Sequence, residues 1–493
     1  MKRILYSLPA AAIALFVGMT AGLAHSQPAG PAALKAPPPL VLSGGTVIDV
    51  KDWGDSANDL KDAVVIIEGK RIAAVGPASS VSIPKNAQVI DCTGQFIIPG
   101  LIDGFASMNS QAEANANLYM GVTTVVARQD ARHGYIDFSA NPSPHIYAID
   151  SVGTTDNWSR LANQPQWAAT LREGAHPVEL SPETTARQLV ATAKLGTRVV
   201  FIGPEVTAAN AQWIIARAHE LGLITYGEFA ATPYNVAINA GVDALVHMGR
   251  YELGVIPDEL QDPLVNDPEG PAARTAYGYS ERLPPTDPHW YQYAQFIASH
   301  HVALLPTFSV YYARLPRHQN LWKEPVASIL NPANMYDPTD PATGELSYPL
   351  PGWARRLPAF LQRSIETNLR KKADQAAMRL WQINQTIFTA FPHYLAGSGA
   401  NCMGTMSGLS LDTELQLLVR LGLSPREALA AATYNYSLQF GWKDLGLIAP
   451  GRRADILVLN ANPTANIWNV RHISTLILSG KVIDRQALLD MKK

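Results

Sequence analysis

The sequence predicts an α/β fold in which a (β/α)8 barrel is flanked by strand-rich chain ends that pair with each other. Three observations carry that expectation. Over residues 100–436 short apolar strands alternate with helical stretches, the pattern of parallel strands joined by right-handed crossovers. Both flanks, residues 41–98 and 446–493, return to short strands cut by Gly, Pro and Asp turns. The chain has 493 residues with 47% hydrophobic and 16% charged, enough to bury a large interior. A doubly wound open sheet is the architectural alternative.

The first segment, residues 1–26, has the three parts of an export signal. Lys2 and Arg3 precede an apolar run from Ile4 to Leu23, and small residues follow up to Ser26. Cleavage there gives a secreted or periplasmic protein that has no membrane contact afterwards. The alternative is an uncleaved anchor, since the run is nearly long enough to span a bilayer. Residues 27–40 are rich in Pro and Ala and read as an extended linker.

Next come predicted strands at 42–50, 63–68, 71–75, 87–91 and 96–98, read as antiparallel hairpins. The barrel occupies residues 99–445. Its clearest unit runs from a strand at 199–202 through a helix at 207–221 to strands at 223–226 and 244–247. Two stretches interrupt the rhythm, 251–288 and 311–358, rich in Pro, Asp, Asn and aromatic residues. Loops of that length suit a lid or substrate wall, a surface elaboration, or an oligomer contact. Strands at 455–459 and 474–478 complete the second half of the composite domain.

The formal net charge of −2 gives no electrostatic reason to expect nucleic acid as a partner. A small-molecule ligand is the expected partner, with homo- or hetero-oligomerisation open. Two cysteines, Cys92 and Cys402, lie too far apart in the sequence to suggest a disulfide framework.

Several local sequences then line up with one family. Phe96-Ile97-Ile98-Pro99-Gly100-Leu101-Ile102-Asp103, Gly121-Val122-Thr123-Thr124-Val125 and Ala216 to Leu223 occur in that order. Ala240 to His247, Ser424 to Leu429 and Pro450 to Ile456 follow. This ordered set resembles the amidohydrolase superfamily, of the imidazolonepropionase-like kind. The resemblance implies a distorted (β/α)8 TIM barrel plus a composite β-sandwich built from the N- and C-terminal segments. It also implies a hydrolase acting on C–N bonds of small molecules such as amides, lactams or dipeptides. Relatives use a divalent metal such as zinc, held by a His-x-His pair on strand one, a lysine or carboxylate on strand four and histidines on strands five and six. An aspartate on strand eight takes the proton of metal-activated water.

Carried onto this chain, the implied ligand set is mostly missing. The strand-one pair falls on Phe105 and Ser107, and the strand-four position falls near Phe201. Glu228 takes the strand-five place within Tyr226-Gly227-Glu228. His247 remains on strand six, whereas Gly397-Ser398-Gly399 stands where relatives read Gly-Thr-Asp. Phenylalanine offers no donor, so no metal site is predicted. Metal-free activity or small-molecule binding is expected, and a non-catalytic scaffold or subunit paired with an intact relative is the alternative.

Glu228 and His247 are the acid/base candidates. Phe105 fills the vacated space, and Ser107 and Asn401 offer polar contacts to substrate. Asp103 is read as supporting the strand end. Cys402, just past strand eight, is a nucleophile candidate with His247 as base, the alternative being a small packing residue. His219 is read as packing, while His133, His145, His289 and His393 are the histidines from which a relocated metal site would have to be built; none has an i, i+4 partner.

Overall fold

In the computed structural model the described residues are 37–128, 142–171, 177–261, 271–316, 318–348 and 350–490. The predicted signal at 1–26, most of the linker at 27–40, and His133 lie outside them. No helix among the described residues is long and apolar enough to cross a membrane.

The chain opens with β1 (Leu40–Val47), β2 (Leu60–Glu68), β3 (Arg71–Pro77), β4 (Gln88–Asp91) and β5 (Phe96–Pro99). The hairpin expectation holds for β1 with β2 and for β2 with β3, which run antiparallel. It fails for β4 and β5, which both pair with β1 in parallel, β4 along Leu40 to Ser43 and β5 along Thr46 and Val47. A long connection after β3 carries the chain back to the free edge of β1, and that geometry gives a parallel ladder.

The C-terminal strands β13 (Ile456–Leu459), β14 (Ile473–Leu478) and β15 (Lys481–Ile483) extend the same sheet, because β13 pairs antiparallel with β5. Both chain ends therefore build one eight-stranded sheet around an apolar cluster of its own that includes Leu42, Val65, Ile97, Ile456 and Ile477.

The barrel strands follow in order: β6 (Leu101–Ser107), β7 (Val122–Arg128), β8 (His145–Ser151), β9 (Val199–Ile202), β10 (Ile224–Gly227), β11 (Ala244–Val246) and β12 (Ala303–Leu305). All are parallel to their neighbours. The eighth position is taken by the segment around Leu395 to Gly399, which closes the ring. On one side Leu395 N–H donates to the Leu304 carbonyl at 2.9 Å; on the other, Gly104 N–H donates to Ala396 at 3.1 Å and Gly399 N–H to Phe105 at 2.8 Å. Closure rules out the open-sheet alternative.

Helices return the chain between strands: α1 (Gln111–Tyr119), α2 (Pro182–Lys194), α3 (Ala208–Glu220) and α4 (Tyr234–Asn239) are the first four. Their starts follow from sequence. Ser110 accepts from Glu113 N, and Ser181 accepts from Thr184 N ahead of Pro182. Ser424 and Glu427 form a reciprocal capping box at the start of the helix Pro425–Ala431. The apolar interior of the ring holds Ile102, Val126, Ile149, Val199, Val246, Leu305 and Tyr436, and a second, larger layer packs between strands and helices.

Candidate functional site

Strand parity brings the expected residues to one end of the ring. Phe105 projects from β6 toward the rings of Phe201 on β9, 5.8 Å away, and His247 just after β11, 4.9 Å away and edge-on. Glu228, one residue beyond β10, places Oε2 4.0 Å from His247 Nε2. Their side chains keep 18% and 24% of their surface open, so water can reach the pair. Ser107 and Asn401 line a single cavity of about 10 Å3 together with Asn109, Arg128, Trp158 and Tyr336. That is room for about one water molecule.

The histidine is held in one orientation. Thr307 Oγ1 lies 2.7 Å from the Pro306 carbonyl, which can only accept, and also 2.7 Å from His247 Nδ1. The hydroxyl has one proton and gives it to the carbonyl, so His247 Nδ1 carries an N–H and Nε2 is the ring nitrogen that faces Glu228. Both residues sit in the left-handed region, His247 at φ 62° and Thr307 at φ 49°. Such backbone costs about 1–3 kcal/mol per residue and is found where surrounding structure over-determines it.

Asp103 behaves as a strand support. Its Oδ1 accepts from Ser398 N at 2.8 Å and Phe105 N at 3.3 Å, bridging the first and eighth positions of the ring. Burial pushes its carboxyl up to about 6. Tyr436 Oη donates to Ala396 at 2.6 Å and stands so close to Gly104 that a Cβ there would lie 1.5 Å from it.

Cys402 is no activated nucleophile: burial pushes its thiol up to about 11, and Sγ lies 3.2 Å from the Gly399 carbonyl. It and Cys92 are both free thiols.

The other histidines are engaged singly and apart. His219 meets Asp243 Oδ2 at 2.9 Å, His145 meets Asp455 Oδ1 at 3.3 Å, His289 meets Asp287 at 2.7 Å, and His393 stacks on Trp53 at 3.7 Å. Among the described residues no three His, Cys, Asp or Glu side chains converge on a point that could hold a metal.

Sequence reasoning missed Arg128, the last residue of β7. Its guanidinium lies 4.0 Å from the ring centre of Phe201, 4.3 Å from Trp158 and 4.8 Å from Phe105. Burial pulls it down to about 10, against the through-space pull of Asp156 and Glu228, so it stays a cation at neutral pH. Aromatic faces attract a cation electrostatically, and desolvated contacts contribute about 2 kcal/mol. The sequence offered only an apolar strand ending on a cation, Val122 to Arg128, which by itself reads as a solvated strand end.

Among the described residues, the positions where the resemblance puts metal ligands carry few donors. Carbon rings occupy two ligand positions, and a fixed guanidinium lies against both of them. Gly399, at the expected aspartate position, has φ +62° and would set a Cβ 2.5 Å from Val310 Cγ2, so a side chain there would be strained and would have to displace that methyl.

The second long insertion folds down over this end. Tyr336 N–H donates to the Asn401 carbonyl at 3.0 Å, Met403 N–H donates to Tyr336 at 2.9 Å, and the Tyr336 and Trp158 rings lie 6.1 Å apart.

Comparisons with known proteins agree with this architecture. A sequence model described as Amidohydrolase family matches residues 366–483. The chain is 44% identical over 78 residues to adenine deaminase 2 of Agrobacterium fabrum, covering 16% of this chain and 12% of that protein. It is 38% identical over 78 residues to imidazolonepropionase of Deinococcus deserti, covering 13% of this chain and 20% of the relative. These matches thus span a small part of each relative. Among solved structures, a putative prolidase from Bifidobacterium longum superposes with a TM-score of 0.57 at 20% identity, covering 92% of this chain and 99% of the other. Molinate hydrolase gives 0.59 at 16% identity, covering 92% and 96%.

Proposed function

We propose, on the premise that this chain belongs to the amidohydrolase superfamily, that it binds a small organic molecule at the barrel mouth and hydrolyses a C–N bond without a divalent metal. The observation that carries the reading is the Thr307–His247–Glu228 array, which turns Nε2 of the histidine toward a carboxylate 4.0 Å away.

In that role His247 Nε2 takes the proton of a water whose oxygen attacks the carbonyl carbon. The imidazolium so formed is stabilised by Glu228, and its Nδ1–H stays on Thr307. The same proton then passes to the departing nitrogen as the C–N bond breaks, giving a carboxylic acid and an amine. Phe105 shapes the space beneath the reacting group, and Ser107 and Asn401 contact the substrate. The run from Lys2 to Leu23 supports action outside the cytoplasm.

The test is amine release from a panel of amides, lactams and dipeptides after exhaustive chelation, with elemental analysis of the same sample. Turnover should survive, and His247→Asn and Glu228→Gln should each lower kcat by about 100-fold. Stoichiometric zinc, nickel or manganese whose removal abolishes turnover would overturn the proposal, as would unchanged turnover in both variants.

A second reading, a non-catalytic subunit of a larger assembly, is favoured by the exposure of Trp353 at 67% and Phe360 at 65% in and just after the second insertion. Light scattering decides it for self-assembly: a multiple of the monomer mass that collapses in Trp353→Ser/Phe360→Ser supports the reading, and a monomer at all concentrations removes it.

A further inference from the structure

We propose that Arg128 is the anchor for a singly charged carboxylate on the ligand, so that the molecule bound at the mouth is an organic acid. This narrows the reading above but rests on a different observation. The guanidinium is buried, and its Nε and Nη2 have no hydrogen-bond partner among the described residues. Those two atoms form one side of the guanidinium fork, the edge that matches both oxygens of a carboxylate.

A buried cation with two unmet donors is expensive, and native proteins keep such groups where a ligand or water completes them. The cavity beside Arg128 is walled by Ser107, Asn109, Trp158, Tyr336 and Asn401, which are neutral. Asp150, one of the carboxylates that act on Arg128 through space, is already engaged: Arg160 reaches its Oδ2 through Nε at 3.2 Å and Nη2 at 3.0 Å. Asp156 accepts from Ser151 Oγ at 3.0 Å and from Trp158 N at 3.0 Å.

The rings of Phe105, Phe201 and Trp158 hold the guanidinium without using its N–H groups, so the fork is oriented and its donors remain unspent. Charge count sets the ligand class. Asp156, Glu228 and Asp150 all act on Arg128 through space, and a doubly charged phosphate or phosphonate would meet their repulsion. One negative charge with a flat pair of oxygens is the complementary group. The cavity of about 10 Å3 is too small for a whole organic acid, so Tyr336 and its hydrogen bonds to Asn401 and Met403 must move for entry.

Isothermal titration calorimetry tests this independently of turnover, with N-acetylglycine, its uncharged partner N-acetylglycinamide, and methylphosphonate as probes. The acid should bind at least tenfold more tightly than the amide and than methylphosphonate. Arg128→Met should weaken the acid at least tenfold and leave the amide unchanged, while Arg128→Lys, which keeps the charge and loses the fork, should fall between. Equal binding of acid and amide by the natural protein, no binding of the acid, tighter binding of methylphosphonate, or full acid affinity in a folded Arg128→Met protein each overturns the proposal. Hydrolysis can fail while acid binding stands, and the reverse, so the two readings fall separately.

Discussion

The lower and upper parts of β6, which adjoin between Gly104 and Phe105, obey different rules. At the lower end Asp103 and Gly104 are engaged by the closing seam: the carboxylate bridges Phe105 and Ser398, and the bare glycine admits the Tyr436 hydroxyl. At the upper end Phe105 and Ser107 face a mouth whose cation, Arg128, has donors to spare. The lower end carries the residues that the resemblance to amidohydrolases leads one to expect, and the upper end carries others. The difference teaches that closure of the ring and chemistry at its mouth are separately encoded, so the side chains at the mouth can change while the barrel stays shut.

Three experiments would break or sharpen that contrast. The largest effect is expected at the seam. Gly104→Ala drives a Cβ into a fully buried, hydrogen-bonded tyrosine, and overpacking of that kind should cost about 3 kcal/mol in urea denaturation. A cost near zero would show that the seam gives way and is no tighter than the mouth.

At the mouth the sign should reverse. Arg128→Met replaces a buried cation that has unmet donors with an apolar chain of similar length, and should stabilise the protein by about 1 kcal/mol. Destabilisation would mean that the three aromatic contacts outweigh the desolvation, making Arg128 a structural residue like Asp103.

A shallower change is expected with pH. Burial holds Glu414 at about 8, Asp412 and Glu113 at about 7, and Asp103 at about 6, all above their unfolded values. The folded chain therefore binds more protons than the unfolded one in that interval. The stability these groups contribute is complete below their unfolded values and is lost as pH rises through the folded ones. Tm should fall from about pH 5 to about pH 8, and Glu414→Gln should flatten the upper part of the slope. A Tm that rises over this range would contradict the protonated state of the core.

Much of this was legible in the sequence because it rests on periodicity and on short-range chemistry. Apolar runs such as Val199–Ile202 and Ala244–Val246 are strands buried on both faces, and Ser424-Pro425-Arg426-Glu427 spells its own helix start. The meeting of Phe105, Phe201, Glu228 and His247 followed from the resemblance to amidohydrolases, whose ligand positions fall on these residues at the strand ends. What stayed hidden depends on distant backbone. The parallel pairing of β4 and β5 with β1 turns on how a long connection runs. Thr307 was invisible as the partner of His247 because the two lie 60 residues apart and meet only when β11 and β12 align. Arg128 stood in plain view at the end of an apolar strand, but a charge at a strand end is usually solvated, and only the three rings around it mark it as buried.

The joining of β5 to β13 has a consequence for how the molecule comes into being. Asp59 and Arg426, ion-paired at 2.6 Å across 367 residues of chain, belong to the same late event as that joining. During synthesis β5 emerges well before β13, so the edge of β5 stays open until the strand Ile456–Leu459 has followed it out of the ribosome. Contacts this remote in order of synthesis form slowly, and an open edge invites pairing with other chains in the meantime. A chain cut short before residue 456 would keep that edge bare for good, and would be lost to aggregation before its barrel mouth could be assayed.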